Sequence, residues 1–396
     1  MFGSYDFIAP GQVMFGWGRR DQIGALCARY ADNVFLICGS RHLKDNQTVE
    51  GIQTAIQEAG VVCRELVTIH HEPEVGDVDV YAEQLRQHAQ SGTHVVVAIG
   101  GGSAIDLGKA VAAMATNSNG ASVIEFLEGV GQGRIIQKPP CPLIAMPTTA
   151  GTGSEATKNA VITSYVLEFK KSLRSPLMVP NATVIDPELT QSLPAAVSAQ
   201  TGMDAITQLI ESYISKRAKP IPKVLALAGL EKAIPAITEV VRDKPSRSAR
   251  EHMAHAALLS GMALANSGLG MAHGVAAALG VHARVPHGLA CAVMLPTAMR
   301  INCQVRISEM ACLGRLFARV TQQTICSQDD ESAADFACRY VEDLCQQLGI
   351  PDKLSEIGVS QDQLPAIVKS SWGNSMRGNP RELSQTELTQ ILERMR

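Results

Sequence analysis

The chain has 396 residues, of which 46% are hydrophobic and 18% charged, and its formal net charge is −3. This length is too great for one ordinary core and favours two domains. The charges are mixed in sign with no basic block, which argues against a nucleic-acid partner.

Short β-branched segments alternate with helical patterns through the first half of the chain. VFLIC (34–38), VVCREL (61–66), THVVVAIG (93–100) and PLIAMP (142–147) are typical of strands. Helical patterns lie between them at about 20–31, 47–59, 76–91 and 103–116. Strand signals return at NAVIT (159–163) and ATVID (182–186). The alternation predicts an α/β domain whose parallel sheet is covered on both faces.

Beyond residue 190 the pattern is almost wholly helical, so we predict domains at 1–192 and 193–396 with a ligand cleft between them. The most apolar stretch, ALLSGMALANSGLGMAHGVAAALGV (257–281), is long enough to resemble a membrane span. It contains Asn266, His273 and five glycines, and the chain has no second stretch of this kind. We therefore predict a buried helix pair, and no membrane association.

The ten cysteines include no CxxC pair, which favours free thiols in a reducing compartment over a disulfide scaffold. The N-terminal MFGSYDFIAPGQ carries Asp6 and Pro10 where a signal peptide needs an apolar run. We expect a cytoplasmic protein.

Two loops have the composition of a dinucleotide site. In AIGGGSAIDLGKAVA (98–112), glycines let backbone N–H groups approach a phosphate at a helix N-terminus. Ser103 is predicted as the N-cap and Asp106 as a first-turn acid. The stretch is not GxGxxG, so a tight turn without a ligand remains an alternative.

The second loop, MPTTAGTGSEATKNAVI (146–162), offers the hydroxyls of Thr148, Thr149 and Ser154. It follows a predicted strand, and doubly wound folds bind ligands at the carboxyl ends of strands. The alternative is a polar surface loop.

Four polar side chains further on have the spacing of a metal site. In TGMDAITQLIES (201–212), Asp204 and Gln208 share a helix face. His273 and His287 lie in apolar surroundings, where a single histidine is more often a core residue than a ligand. Together with Asp204, however, they describe a catalytic divalent metal with an open position. His282 lies in a short connection and is expected to face solvent.

The motifs GGGSAIDLGK, PTTAGTGSEAT, DPELTQSLP, TGMDAITQLIE, GLGMAHG and PHG occur in this order along nearly the whole chain. They resemble the iron-containing (group III) alcohol dehydrogenase family. The resemblance implies the dehydroquinate synthase-like fold, with an N-terminal α/β dinucleotide-binding domain and an all-helical C-terminal domain. It also implies NAD or NADP, a divalent metal and a homodimer.

The resemblance also assigns residues. Asp204, His273 and His287 match metal ligands, and Gln208 stands where the family has a fourth, histidine. Ala277 stands where a second histidine near the substrate is common. Matches to cofactor contacts are Gly101, Gly102, Ser103, Thr148, Thr149 and Lys171. Fe²⁺ is the expected metal, and Zn²⁺ is the alternative. The amide oxygen of Gln208 binds either ion more weakly than imidazole does, so we expect a reduced or altered metal preference.

Cofactor choice depends on the end of the second strand. NAD-preferring relatives carry an aspartate there, whereas this chain has Gly39 and Ser40, with Arg41 close behind. This arrangement accommodates a 2′-phosphate, unless Arg41 is only a solvated surface residue.

The resemblance implies a metal-dependent NAD(P)-linked alcohol dehydrogenase or aldehyde reductase with Asp204, His273 and His287 as its catalytic residues. A small alcohol or aldehyde is the expected substrate. With Ala277 in place of histidine, His282 is a candidate proton carrier, alongside water and the cofactor ribose. The alternatives are a metal-independent reductase of the maleylacetate reductase type and a nucleotide-binding protein without turnover.

Overall fold

The structure is a computed structural model that describes residues 4–39, 43, 47–89, 92–327 and 329–396. The chain divides into two compact units. The α/β unit contains Ile8–Thr149 and Gly153–Ser192. The helical unit contains Leu193–Arg396, the short stretch Ala150–Thr152 and the N-terminal residues up to Phe7.

The strands of the α/β unit are β1 (Val13–Phe15), β2 (Asn33–Cys38), β3 (Val62–Thr68), β4 (His94–Gly100), β5 (Leu143–Pro147), β6 (Asn159–Ser164), β7 (Phe169–Arg174) and β8 (Ala182–Ile185). Six of them form a sheet in the order β1-β8-β5-β4-β2-β3, in which all neighbours are parallel. Every residue of β2, β4 and β5 is buried, as expected for a sheet covered on both faces. The predicted parallel α/β architecture is confirmed.

The sequence pattern did not predict two of the strands, and one predicted strand lies outside the parallel sheet. β1 has only three residues, and β7 (FKKSLR) is interrupted by two lysines and is partly exposed. β6 is a strand as predicted, but it pairs antiparallel with β7 in a separate two-stranded sheet. The connection between them includes Glu168 in the left-handed region, with φ of 50°. β6 and β7 therefore form an antiparallel pair that is separate from the parallel sheet.

The α-helices of the α/β unit are α1 (Ile23–Ala28), α2 (Thr48–Glu58), α3 (Val75–His88) and α4 (Gly102–Asn117). α3 begins with a capping box, in which the Asp77 carboxylate accepts the Glu74 N–H at 2.8 Å. α4 is buried along most of its length, because it packs against the sheet through Ala, Ile, Leu and Val side chains. It follows β4 directly and so begins at the sheet's carboxyl edge.

The α-helices of the helical unit are α5 (Ala195–Ile214), α6 (Pro220–Val240), α7 (Arg247–Ala265), α8 (Met271–His282), α9 (His287–Cys303), α10 (Ile307–Thr321), α11 (Asp330–Gln347), α12 (Leu364–Ser370) and α13 (Gln385–Arg394). One continuous hydrophobic core joins them, rich in alanine and leucine. α5 is buried from Gly202 to Ile214, so any polar side chain on that stretch needs a partner inside the unit.

The apolar stretch 257–281 forms the end of α7 and most of α8, separated by the irregular segment 266–270. Both pieces are largely buried in the core of the helical unit, which confirms the predicted helix pair. Among the described residues, no helix has the length and apolar character that crossing a membrane requires.

Candidate metal centre and cofactor loops

Three polar residues of α5 lie on one face, because they are spaced four and three residues apart: Asp204, Gln208 and Glu211. All three are buried among the core side chains of the helical unit. Buried carboxylates are costly unless they are paired, so their partners define the site.

Glu211 joins α5 to the start of α8. One carboxylate oxygen accepts the Ala272 N–H at 2.8 Å, and the other lies 2.7 Å from Nδ1 of His273. The contact depends on Gly270, because a Cβ there would lie 2.8 Å from Oε1 of Glu211. Glu211 therefore supplies an acceptor to the first turn of α8 and orients the His273 ring, with Nε2 facing Asp204 at 3.2 Å from Oδ1.

α9 contributes two more donor atoms. His287 is its first residue, and its Nε2 lies 3.9 Å from Oδ1 of Asp204. Cys291 is one turn further on, with Sγ 3.7 Å from Nε2 of His287. The Cys291 side chain is buried, whereas the imidazole of His287 is 29% exposed. The cluster is therefore reached by solvent past His287.

The donor atoms of Asp204, His273, His287 and Cys291 all lie within 4.8 Å of one another. A carboxylate, two imidazoles and a thiol are a donor set that divalent transition metals accept. The Glu211–His273 pair adds the carboxylate support that metal-binding histidines usually have. These residues fit a divalent cation.

The electrostatics of the cluster agree with this interpretation. Burial raises the pKa of Asp204, but His287 and His273 outweigh it and hold that pKa below its usual value. Burial lowers the pKa of His273, but Cys291, Asp204 and Glu211 outweigh it and raise that pKa well above its usual value. Burial raises the pKa of the Cys291 thiol to about 12. The acidic groups thus stabilise positive charge at a place where a cation fits.

Gln208, a predicted metal ligand, contacts both Asp204 on its own helix and Ser260 on α7. Its amide nitrogen lies 3.3 Å from Oδ1 of Asp204, and its oxygen accepts the Ser260 hydroxyl at 2.8 Å. In this orientation the Gln208 oxygen is hydrogen-bonded to Ser260 of α7, and the Gln208 nitrogen faces the Asp204 carboxylate. In this structure Gln208 donates to Asp204, and its oxygen faces Ser260 rather than the cluster.

The second histidine position and its candidate substitute lie on opposite sides of α8. Ala277 is one turn after His273 on the same face. His282 is nine residues after His273, which places it about 13 Å further along the helix and on the opposite side. Its ring is half-buried and bonded to the Ser370 hydroxyl at 2.8 Å, so the expectation of a solvent-facing residue in a connection is wrong. His282 is therefore not available as a proton carrier at the donor cluster.

In the α/β unit, the carboxyl ends of β2, β4 and β5 bring the predicted cofactor residues together. The Gly39 N–H donates to the Ile99 carbonyl at 2.7 Å, and the Thr148 N–H donates to the Gly100 carbonyl at 2.9 Å. A Cβ on Gly39 would lie 2.8 Å from the Cβ of Ala104. Glycine is thus required where β2 meets the start of α4.

The Gly-rich loop itself differs from the prediction in two details. The N-cap of α4 is Gly101, with Gly102 as the first helical residue and Ser103 as the second. Gly101 provides no side-chain cap, which leaves the N–H groups of the first turn without a side-chain acceptor from the cap. A Cβ on Gly101 would lie 3.4 Å from Thr149, so the two predicted loops are adjacent.

Asp106 has a structural partner, which sequence reasoning missed. It lies beyond the first turn, accepts the Val161 N–H at 2.8 Å, and pairs with the buried ammonium of Lys109 at 2.9 Å. Lys109 also donates to the Ser154 carbonyl at 2.9 Å and to the Thr157 hydroxyl at 2.8 Å. This ion pair fixes the loop that follows β5. The lysine in GGGSAIDLGK, three residues after the aspartate, was the available signal.

The remaining predicted cofactor residues are more scattered. Ser154 is buried in a short 3₁₀ turn, and Lys171 is half-buried on β7, paired with Ile162. Ser40 and Arg41 lie outside the described residues. All ten cysteines lie among the described residues, and none of them forms a disulfide bond, as predicted.

Sequence reasoning missed Glu211 and Cys291 as members of the site, although each had a local signal. Glu211 is two turns after Asp204, and Cys291 is one turn after His287 in PHGLAC. Helical spacing therefore places both on the same faces as the predicted ligands.

A parallel α/β unit with glycine loops and a helical unit with a cation-binding cluster are the features of a metal-dependent dehydrogenase. The family described as iron-containing alcohol dehydrogenase matches residues 10–187. The C-terminal part of the Fe-containing alcohol dehydrogenase family matches residues 198–396. The chain belongs to the iron-containing alcohol dehydrogenase family, which confirms the resemblance carried by the six motifs.

Individual relatives match over nearly the full length. The chain is 34% identical to a choline dehydrogenase of Bacillus subtilis (strain 168) over 391 residues, which cover 98% of this chain and 94% of the relative. It is 30% identical to a 1,3-propanediol dehydrogenase of Citrobacter freundii over 392 residues, which cover 98% and 97%. The solved sulfoacetaldehyde reductase of Bifidobacterium kashiwanohense, in complex with NAD⁺, matches with a TM-score of 0.83 at 28% identity and covers 99% of each chain. The protein is accordingly an oxidoreductase that acts on alcohols and the corresponding aldehydes.

Proposed function

We propose that the protein interconverts a small alcohol and its aldehyde with a nicotinamide dinucleotide, at a divalent cation held by Asp204, His273 and His287. The observation that carries the proposal is the convergence of these donor atoms, with Glu211 bonded to the far nitrogen of His273. A metal-free reductase has no need of such a cluster.

Asp204, His273 and His287 would hold a divalent cation, which would supply Lewis-acid polarisation of an alcohol or aldehyde oxygen, and a bound nicotinamide would supply the hydride acceptor or donor. The chain's own residues prepare for this chemistry. Glu211 accepts a hydrogen bond from Nδ1 of His273, so that Nε2 is the ring nitrogen that faces the cluster and would lose its proton when a cation binds. Gln208 donates to Oδ1 of Asp204, the same oxygen that faces His273 and His287, and so orients that carboxylate. The exposed edge of His287 is where a small substrate reaches the cluster.

Proton movement must differ from a relay through a histidine next to the substrate. Ala277 has no titratable group, and His282 is on the opposite side of α8 and bonded to Ser370. We propose that the proton of the alcohol leaves through water or the cofactor ribose.

We assign dinucleotide binding to the domain 1–192, through the glycines of the loop at 100–102, Ser103 and the threonines at 148 and 149. Metal and substrate binding belong to the domain 193–396. Fe²⁺ is the metal of the family name, and Zn²⁺ suits the same donors. NAD is favoured by the NAD⁺ complex of the sulfoacetaldehyde reductase, and NADP by the lack of a carboxylate at Gly39. We propose a cytoplasmic homodimer.

The choline, 1,3-propanediol and sulfoacetaldehyde of the relatives' names differ in charge but all are small. We therefore propose a small aliphatic substrate that carries a second polar group. An aldehyde panel with NADH and with NADPH identifies both the substrate and the preferred cofactor.

The decisive experiment is metal analysis of protein prepared without chelator, together with dinucleotide binding and turnover. Asp204→Ala and His273→Ala are expected to lose metal and turnover but to keep dinucleotide binding, because the glycine loops belong to the other unit. His282→Ala, on the same helix as His273, is the matched control and keeps all three properties. Full turnover of either site variant after chelator treatment would contradict a metal-dependent mechanism.

A further inference from the structure

We infer that Cys291 is a fourth protein ligand of the cation, in the role that the Gln208 side chain does not fill, and that its thiolate selects zinc over harder divalent ions. The inference rests on the proposed function, because it concerns the same cation. It refines the identity of the metal and adds a ligand from α9.

Distances between donor atoms support this assignment. Around a four-coordinate zinc ion with bonds of about 2.0–2.3 Å, donors lie about 3.3–3.8 Å apart. The Sγ of Cys291 is 3.7 Å from Nε2 of His287. The Asp204 oxygen is 3.2 Å from Nε2 of His273 and 3.9 Å from Nε2 of His287. The distance of the thiol from His287 thus matches the distance between two ligands of one zinc ion. Small side-chain rotations would bring all four donor atoms to one ion.

The position of Cys291 on its helix gives a second, independent argument. His287 and Cys291 are spaced i, i+4, which is how one helix presents two ligands to one ion. The thiol also lies within 4.8 Å of the donor atoms of Asp204 and His273. Cys291 is therefore near donors from all three helices that form the cluster.

Gln208 is the competing candidate, and its contacts argue against it. Its oxygen is engaged by the Ser260 hydroxyl at 2.8 Å, and its nitrogen faces Asp204. Among the described residues, the Cys291 sulfur interacts only with His287, His273, Asp204 and the supporting Glu211. On ligation, the S–H bond breaks, its proton passes to solvent and the sulfur donates an electron pair to the cation.

The donor set sets the metal preference. A thiolate is a soft ligand that favours zinc and cobalt, whereas manganese and magnesium prefer oxygen donors. Loss of the sulfur is therefore expected to weaken zinc binding more than manganese binding.

Cobalt substitution tests the inference without relying on turnover. Chelator-treated, reduced protein is titrated with Co²⁺, and thiolate ligation appears as a near-ultraviolet charge-transfer band that saturates at one cobalt per chain. The band is expected in the wild type and in Cys303→Ala, a matched control on the same helix. It is expected to vanish in Cys291→Ala and Cys291→Ser, and also in His273→Ala, which ties the thiolate to the cluster.

Zinc and manganese affinities, measured by competition with a chromophoric chelator, give the second result. Cys291→Ala is expected to bind zinc at least about tenfold more weakly, in line with the 10–100-fold losses seen when metal sites lose even a supporting partner. Its zinc-to-manganese affinity ratio is expected to fall. Retained dinucleotide binding checks that each variant is folded.

Two results would overturn the inference, and only the second of them would also overturn the proposed function. If cobalt binds to the wild type without a thiolate band, and Cys291→Ala keeps full zinc affinity, Cys291 only hydrogen-bonds to His287 and the proposed function still stands. If neither zinc nor cobalt binds to the wild type, the proposed function fails and the inference fails with it.

Discussion

Replacement of Glu211 by glutamine isolates the contribution of the residue that supports the cluster without touching the cation. The carboxylate serves donors on both of its oxygens, with Ala272 N–H at 2.8 Å on one and Nδ1 of His273 at 2.7 Å on the other. A glutamine of the same shape has one oxygen and one NH₂ group, so it can satisfy only one of these partners.

Either orientation of the new amide has a cost. If the NH₂ group faces His273, Nδ1 must accept its hydrogen, so the ring hydrogen moves to Nε2 and blocks the lone pair that faces Asp204. If it faces the Ala272 N–H, a buried donor at the start of α8 loses its acceptor, which costs about 1–3 kcal/mol of stability.

We therefore expect Glu211→Gln to weaken zinc binding by about 10–100-fold, which corresponds to about 1.4–2.7 kcal/mol. The measurement is zinc competition with a chromophoric chelator on chelator-treated protein, with dinucleotide affinity followed in parallel. The matched control is Glu309→Gln, because Glu309 is a partly buried carboxylate of the same unit that pairs with Lys223 at 3.0 Å, away from the cluster. Unchanged zinc affinity and unchanged unfolding of Glu211→Gln would refute the supporting role.

Three further predictions concern other positions. Gly39→Ala is expected to weaken the binding of both NADH and NADPH, because its Cβ would lie 2.8 Å from the Cβ of Ala104. Gly39→Asp is expected to weaken the binding of NADPH further, through repulsion of the 2′-phosphate. Equal losses of affinity in the two variants would show that Gly39 is not at the ribose. Gln208→His is expected to tighten zinc binding by about tenfold, since imidazole binds zinc better than an amide, and an unchanged titration would mean that position 208 cannot reach the ion. Lys109→Met removes the partner of the buried Asp106 carboxylate. We expect this variant to lower the free energy of unfolding, measured in urea, by about 3–5 kcal/mol. A decrease below about 1 kcal/mol would contradict a structural ion pair.

Much of the fold could be predicted from local patterns. The runs at β2, β4 and β5 are continuously apolar because both faces of the sheet are covered, and their alternation with helices indicates parallel strands. The β6–β7 pair could not be predicted in this way, because FKKSLR has no clear period and its pairing depends on the turn that precedes it. Short or charged strands carry too little local signal.

For the site, local spacing is enough to predict which residues share a helix face: Asp204 with Gln208 and Glu211, and His287 with Cys291. Which of these faces meet depends on how the helices pack. Asp204 and His273 are 69 residues apart, and their 3.2 Å contact depends on how α5 packs against α8. Contacts with other helices likewise turn the Gln208 oxygen towards Ser260 and bring the Cys291 sulfur to the donor cluster. Helical periodicity is a property of neighbouring residues, whereas the packing of helices is a property of the whole core, and the ligand set depends on both.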